Sequence, residues 1–125
     1  MPSIQRPLSG DVMLFRLDDE RERTADPATV RKHGRAARTL LKEGPLRVTL
    51  VVLAPGGELA EHSAEGPITL QPLAGSIRFT AAGAAHDVRA GDMLSAGAGV
   101  RHAVSSEDGA TFLLTVAIAD KHGRD

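Results

Sequence analysis

Short apolar stretches separated by glycine and proline fill most of this chain, and this spacing constrains the fold more than any other feature. Turn signals such as Glu43-Gly44-Pro45 and Gly66-Pro67 stand between stretches that are too short for helices. Many short strands joined by Gly/Pro turns are typical of sandwiches and barrels, so the sequence predicts an all-β fold. The predicted strands cover residues 37–42, 46–53, 58–63, 68–73, 76–81, 84–89, 93–96, 102–105 and 111–119.

The first 35 residues do not follow this pattern of short strands and turns. They predict an N-terminal arm that contains a short helix and packs on the barrel. Asp26 can cap a helix that starts at Pro27, and Gly34 can end it in the left-handed conformation. The mixed charges of residues 18–23 favour a solvated loop over a partner-binding arm. Residues 12–15 are apolar and predict an edge strand or a segment laid over the barrel.

Composition narrows the class of protein. The chain has 125 residues, the size of one domain, which we divide into the arm (1–35), a barrel (36–119) and a polar tail (120–125). Its 15 basic and 16 acidic residues nearly cancel, and its only aromatic residues are three phenylalanines, so neither nucleic acid nor a membrane is an expected partner. We read no signal peptide and expect a cytoplasmic protein. Without cysteine, neither disulfides nor thiolate metal sites can form.

His62 and His102 are the candidate functional residues. Each stands on a predicted strand. His33 is expected at the surface, and His86, on the strand 84–89, is expected to be a surface or cross-strand histidine. Ser63 beside His62 lacks an evident base and orienting acid, and no pair of carboxylates falls at matched positions of adjacent strands. The sequence therefore indicates a histidine-based binding site more than a nucleophile or an acid–base pair.

Two segments surround these histidines with a recognisable spacing of glycines: Gly56, His62 and Gly75, then Gly91, Gly99 and His102. This arrangement resembles the two-motif core of the cupin superfamily. The resemblance covers roughly residues 37–119 and implies a double-stranded β-helix, the jelly-roll barrel of that family. The stretch from His62 through Gly66-Pro67 to Gly75 also looks like a subgroup of small single-domain cupins that keep one histidine in the first motif.

The first cupin motif is a glycine, five residues, His-x-His, three or four residues, Glu, six residues and Gly. Gly56 and Gly75 match its two ends and His62 matches the first histidine. Ala64 replaces the second histidine and Ile68 replaces the glutamate. Neither replacement can donate to a metal.

The second motif is a glycine, five residues, Pro-x-Gly, two residues, His, three residues and Asn. Gly91, Gly99 and His102 match it, whereas Gly97 replaces the proline and Ser106 replaces the asparagine. The turn glycines thus match better than the metal ligands do.

The resemblance implies one divalent metal, Zn, Fe, Mn or Ni, held in the family by three imidazoles and a carboxylate. Here His62 and His102 would supply two donors, and Gln71 is the candidate third. If Gly66-Pro67 resets the strand alternation, Gln71 faces the cavity; if the motif register holds, Ile68 and Leu70 face inward instead.

We expect a small barrel protein that binds a small molecule in an apolar cavity between His62 and His102, with Ile68 and Phe79 among its walls. In the first hypothesis a weakly held metal takes part. The alternatives are a metal-free ligand-binding or sensing module, and a metal-dependent oxygenase or isomerase. Cupins of this size commonly pair through their sheets, so the resemblance also implies a homodimer.

Overall fold

A single long strand, β4 (Ile68–Ala81), links the two sheets of this protein in a computed structural model that describes residues 7–118. Its first half pairs with β8 and β6, and its second half pairs with β5 and β7. The strands are β1 (Arg35–Glu43), β2 (Leu46–Leu53), β3 (Glu58–His62), β4, β5 (Ala84–Arg89), β6 (Leu94–Ala96), β7 (His102–Ser105) and β8 (Ala110–Ala117).

Two antiparallel sheets share this strand. The first has the order β1-β2-β8-β4-β6, and the second has the order β3-β7-β4-β5. Their facing sides enclose one apolar cluster, formed by Val51, Leu53, Ile68, Leu70, Ile77, Phe79, Val88, Val104, Ala110 and Phe112. The all-β jelly-roll prediction is confirmed.

The prediction of two strands, 68–73 and 76–81, with a turn at Ala74-Gly75 is wrong, because both belong to β4. The pairing with β8 instead shifts register between Pro72 and Ala74 and then continues to Gly75. Gly75 adopts a φ of 74°, which a residue without a Cβ reaches at no steric cost. The bend thus turns the chain from one sheet into the other without ending the strand.

Two short helices precede the strands. The predicted helix is present as α2 (Pro27–His33), with Asp26 accepting from the Thr29 main-chain N–H and Gly34 in the left-handed conformation. The solvated loop predicted for residues 18–23 is wrong, because this segment lies in α1 (Leu17–Thr24). Acidic residues in the first turn and arginines in the last complement the helix dipole.

Helix α1 packs on the outer face of the first sheet. Glu20 is only 3% exposed, and its carboxylate lies 3.3 Å from the Arg38 guanidinium of β1. Leu40 and Leu50 are buried on this side, outside the barrel cluster. Strand β2 is therefore covered on both faces, which explains why its second half is apolar throughout.

The segments at the two ends complete the described chain. Residues 12–15 form no strand. The N-terminal segment is instead joined to β1 at Leu8, whose carbonyl accepts a hydrogen bond from the Lys42 N–H at 2.7 Å. The predicted tail, residues 120–125, and the last residue of the final predicted strand lie outside the described range. Within residues 7–118, none of the helices has the length and apolar character that a membrane span requires.

Candidate functional site

His62 and His102 come together at one end of the barrel. They are direct partners across the antiparallel pair β3–β7, and their ring centroids lie 4.4 Å apart at an angle of 63°. Forty residues separate them in the chain, and the pairing of the two strands brings them into contact. The predicted convergence of the two imidazoles is therefore present in the structure.

The main chain fixes both rings. His62 Nδ1 lies 2.7 Å from the Ala60 carbonyl oxygen, and His102 Nδ1 lies 2.9 Å from the Val100 carbonyl oxygen. A carbonyl can only accept, so each Nδ1 must carry the proton of these hydrogen bonds. Each Nε2 then keeps its lone pair in the neutral ring, and neither Nε2 has a hydrogen-bond partner within residues 7–118.

The two histidines differ in their surroundings. His102 is 3% exposed and stacks on Phe79, with 5.0 Å between ring centroids and 17° between ring planes. His62 is exposed. The pair therefore forms the boundary between the apolar core and solvent, with one ring anchored on Phe79 and the other accessible from outside.

The predicted cavity between the two histidines is wrong in one respect, because the rings touch each other instead of facing each other across a space. Ile68, Phe79 and Leu70 are buried in the barrel cluster next to this end of the fold. A ligand would therefore meet the pair from the exposed His62 side.

Gln71 does not join the pair. It is exposed, whereas Ile68 and Leu70 are 3% and 1% exposed on the same strand. Successive side chains of a strand point to opposite faces, so Gln71 lies on the outer face of the sheet. The Gly66-Pro67 turn therefore does not reset the alternation of the strand, and Ile68 and Leu70 face inward as the motif register implies. This geometry does not support Gln71 as a third metal donor.

Carboxylates are also absent from the pair. Glu61 lies beside His62, but its carboxylate is exposed and bonds to the Arg101 guanidinium at 3.0 Å. Across residues 7–118, no three or more His, Asp or Glu side chains cluster in a way that could hold a metal ion. The described residues therefore do not supply the three-imidazole and carboxylate set of the standard cupin centre.

Ser106, which replaces the motif asparagine, has a structural role. It is 2% exposed, and its hydroxyl donates to the Ser76 carbonyl oxygen at 2.7 Å. This bond ties the end of β7 to the bend of β4.

A surface pocket of about 500 Å³ lies elsewhere, on the outer face of the second sheet. Five charged residues line it: Arg78, Asp87, Arg89, Glu107 and Asp108. Arg78 and Asp87 pair with each other at 3.3 Å and are both exposed. A second pocket, of about 460 Å³, lies beside α1.

The strand order, the shared central strand and the histidine pair at one barrel end define a cupin barrel. The chain has the cupin fold, as the motif spacing indicated. It matches a conserved protein of unknown function from Streptococcus pyogenes at 26% identity, over 71% of this chain and 78% of the other, with a TM-score of 0.66.

Two further solved structures support this assignment. A cupin-2 domain protein from Shewanella frigidimarina is 13% identical over 83% of this chain and 94% of its own, with a TM-score of 0.68. A mutant of salicylate 1,2-dioxygenase from Pseudoaminobacter salicylatoxidans is 16% identical over 90% of this chain but 37% of its own, with a TM-score of 0.77. No protein-family model and no curated protein matches the chain.

Proposed function

We propose that this cupin barrel binds a small molecule through the His62–His102 pair. The main observation behind this proposal is that both Nδ1 atoms are hydrogen-bonded to main-chain carbonyls. These bonds orient the rings and leave both Nε2 atoms, beside an apolar core, without a partner among residues 7–118. Ligand sites of proteins commonly combine apolar walls with a few such fixed polar groups. The exposed His62 provides the side from which the molecule enters.

A divalent metal, Zn, Fe, Mn or Ni, is the second candidate. Metal-binding histidines usually donate the other ring N–H to a carbonyl or carboxylate, and both rings do so here. Two imidazoles are fewer than the three protein ligands of typical catalytic zinc sites. His62 and His102 alone would therefore bind a metal with low affinity, and the metal would need further donor atoms from the bound molecule. Such a metal would act as a Lewis acid toward a bound carbonyl or carboxylate.

Metal analysis and native mass spectrometry of the purified protein test both candidates. We expect a small organic molecule that is retained by the wild type and lost in His62→Ala. If metal is also retained, it should fall with the same variant and be removed by dialysis against EDTA. The matched control is His86→Ala, which removes an exposed histidine from β5.

The results separate the alternatives. A metal-free protein with a histidine-dependent organic ligand indicates a binding or sensing module. Stoichiometric metal that survives EDTA and depends on His102 favours the oxygenase or isomerase alternative. If Zn²⁺, Mn²⁺, Ni²⁺ and every retained molecule bind His62→Ala as well as the wild type, the pair is not the site and the proposal fails.

A further inference from the structure

Arg47 of β2 carries a buried polar atom that the barrel itself does not satisfy. Its Nε is inaccessible to solvent and is the one buried side-chain nitrogen or oxygen within residues 7–118 for which no hydrogen-bond partner is found. Buried polar groups in folded proteins are nearly always paired, so an unpaired guanidinium nitrogen requires an explanation.

The side chain of Arg47 lies on the inner face of the first sheet. Strand alternation places Arg47 on the same face as Val51 and Leu53, which both belong to the barrel cluster. Its direct partner across β2–β8 is Val116, which packs against that cluster. Arg47 is therefore half-buried on the inner face at the open end of β2, whereas Arg78 and Arg89 are exposed on the second sheet.

This position is at the same end of the barrel as the histidine pair. Arg47 pairs with Val116, and Val116 pairs with Ile68, so the three residues form one row across the sheet. Ile68 and Ala81 are the two ends of β4, and both lie away from the bend at Gly75. Ala81 is the direct partner of His102, so the row headed by Arg47 and the histidine pair both lie at the barrel end opposite that bend.

A second positive charge stands beside Arg47 on the first sheet. Lys42 of β1 is the direct partner of Arg47 across β1–β2, and like charges at such positions repel. No ion pair with Arg47 or Lys42 is found within residues 7–118. An anion at this end of the barrel would relieve the repulsion, and a small movement of the Arg47 side chain would let it accept from the Nε–H.

We infer that the molecule bound at the histidine pair is a small carboxylate, and that Arg47 recognises its charged group. This inference rests on the proposed function and adds the ligand class. The guanidinium fork matches the two oxygens of a carboxylate, and the neighbouring Val116 and Ile68 suit an apolar body behind it. The carboxylate would accept from Arg47 while the rest of the molecule contacts the imidazoles.

The test uses the full chain and four probes: acetate, isobutyrate, succinate and benzoate. Nuclear magnetic resonance follows the Arg47 Nε–H signal and the His62 and His102 ring signals during each titration. Isobutyramide and benzamide are the uncharged controls for two of these acids. We expect at least one acid to shift both the Arg47 and the histidine signals, and to bind about tenfold or more tightly than its amide.

Two variants sharpen this test. Arg47→Met should remove the preference for acid over amide, and Arg47→Lys should retain part of it because the charge remains while the fork is lost. Arg89→Met, at an exposed arginine of β5, should behave like the wild type. Circular dichroism confirms that each variant is folded before titration.

The results test the carboxylate inference and the proposed function of the histidine pair separately. If no acid shifts the Arg47 Nε–H, or if acid and amide bind equally, the carboxylate inference is overturned. Amides or metals that still shift the histidine signals would leave the proposed function in place. Acids that shift Arg47 but not the histidines would instead show an anion site apart from the pair, and would contradict the link between the two.

Discussion

At the scale of single residues, main-chain geometry decides what the side chains of this protein can do. Both histidines of the candidate site are oriented by carbonyls two residues earlier in the chain, not by acidic side chains. The same local control governs the start of α2, where Asp26 accepts from the Thr29 hydroxyl at 2.7 Å and from the Thr29 N–H at 3.1 Å.

Asp26 should make stability depend on pH. The Thr29 hydroxyl, followed by the Thr29 N–H, holds the pKa of the Asp26 carboxyl below its usual value of 3.8. A carboxyl whose pKa is lowered in the folded state stabilises the fold above its unfolded pKa, and this contribution disappears as pH falls through the folded pKa. Asp26→Ala should therefore lower the melting temperature at pH 7, and its difference from wild type should shrink below about pH 4.

Thermal denaturation followed by circular dichroism between pH 3 and pH 7 measures this difference. Asp11→Ala is the control, because Asp11 is exposed and has no hydrogen bond or ion pair within residues 7–118. A difference for Asp26→Ala that stays constant across this pH range would contradict the capping role.

Gly66 is a position where only glycine fits. A Cβ there would collide with the Ala117 carbonyl oxygen at the end of β8. Gly66→Ala should therefore destabilise the fold by about 1–3 kcal/mol or more, measured by urea denaturation. Gly97→Ala is the matched control, since its new Cβ would meet only Val100 Cγ2, at 3.9 Å. Equal stability of the two variants would show that the loop before β4 moves freely away from β8.

At the scale of elements, β4 and α1 have different sources of stability. β4 is held by neighbours on both sides in both sheets, and its buried residues sit in the barrel cluster. Helix α1 has eight residues and mostly charged side chains, so it cannot be stable alone. Its position depends on the contacts of Glu20 and Thr24 with the sheet and with its own last turn.

Glu20→Ala should loosen α1 from the sheet. The carboxylate is 4% exposed and pairs with Arg38, so its loss removes a largely buried charged contact. We expect a loss of stability of about 1–3 kcal/mol and faster amide exchange across residues 17–24. Glu22→Ala changes an exposed glutamate of the same helix and should leave both measurements unchanged. If the two variants exchange alike, Glu20 does not hold the helix.

At the scale of the whole molecule, the surface pattern favours association. Val12 and Leu14 of the N-terminal arm are 92% and 75% exposed, and Leu8 and Leu46 are also partly exposed. Strand β1 pairs with no strand other than β2 within the described residues, and its far edge carries one main-chain bond, from the Lys42 N–H to the Leu8 carbonyl. Exposed apolar segments beside a strand edge that is mostly unpaired are typical of association surfaces.

We expect a homodimer in which the arm of one subunit lies against the other. Light scattering at micromolar concentration should give twice the mass of one chain. The double variant Val12→Asp with Leu14→Asp should shift the protein toward monomer, whereas Met93→Asp, at another exposed apolar residue, should not. A monodisperse wild-type monomer would contradict the homodimer.

Local patterns were sufficient for much of the fold. The signals for α2 lie within nine residues, and most strands begin and end at Gly/Pro turns, so short-range chemistry determines them. Helix α1 was missed because its charged sequence has little apolar periodicity, and a tertiary contact of Glu20 stabilises it. The continuity of β4 was missed because Gly75 signals a turn, while pairing with two sheets carries the strand through it.

Turn glycines and strand periodicity are local properties, so the sequence predicts an all-β fold, and the resemblance to cupins points to the two histidines. The tertiary structure sets the rest of the site. It turned Gln71 outward, placed the two imidazoles in contact, and brought Arg47 to the same end of the barrel. These outcomes depend on strand register between residues far apart in the chain, and register is fixed when both sheets bury their apolar faces together.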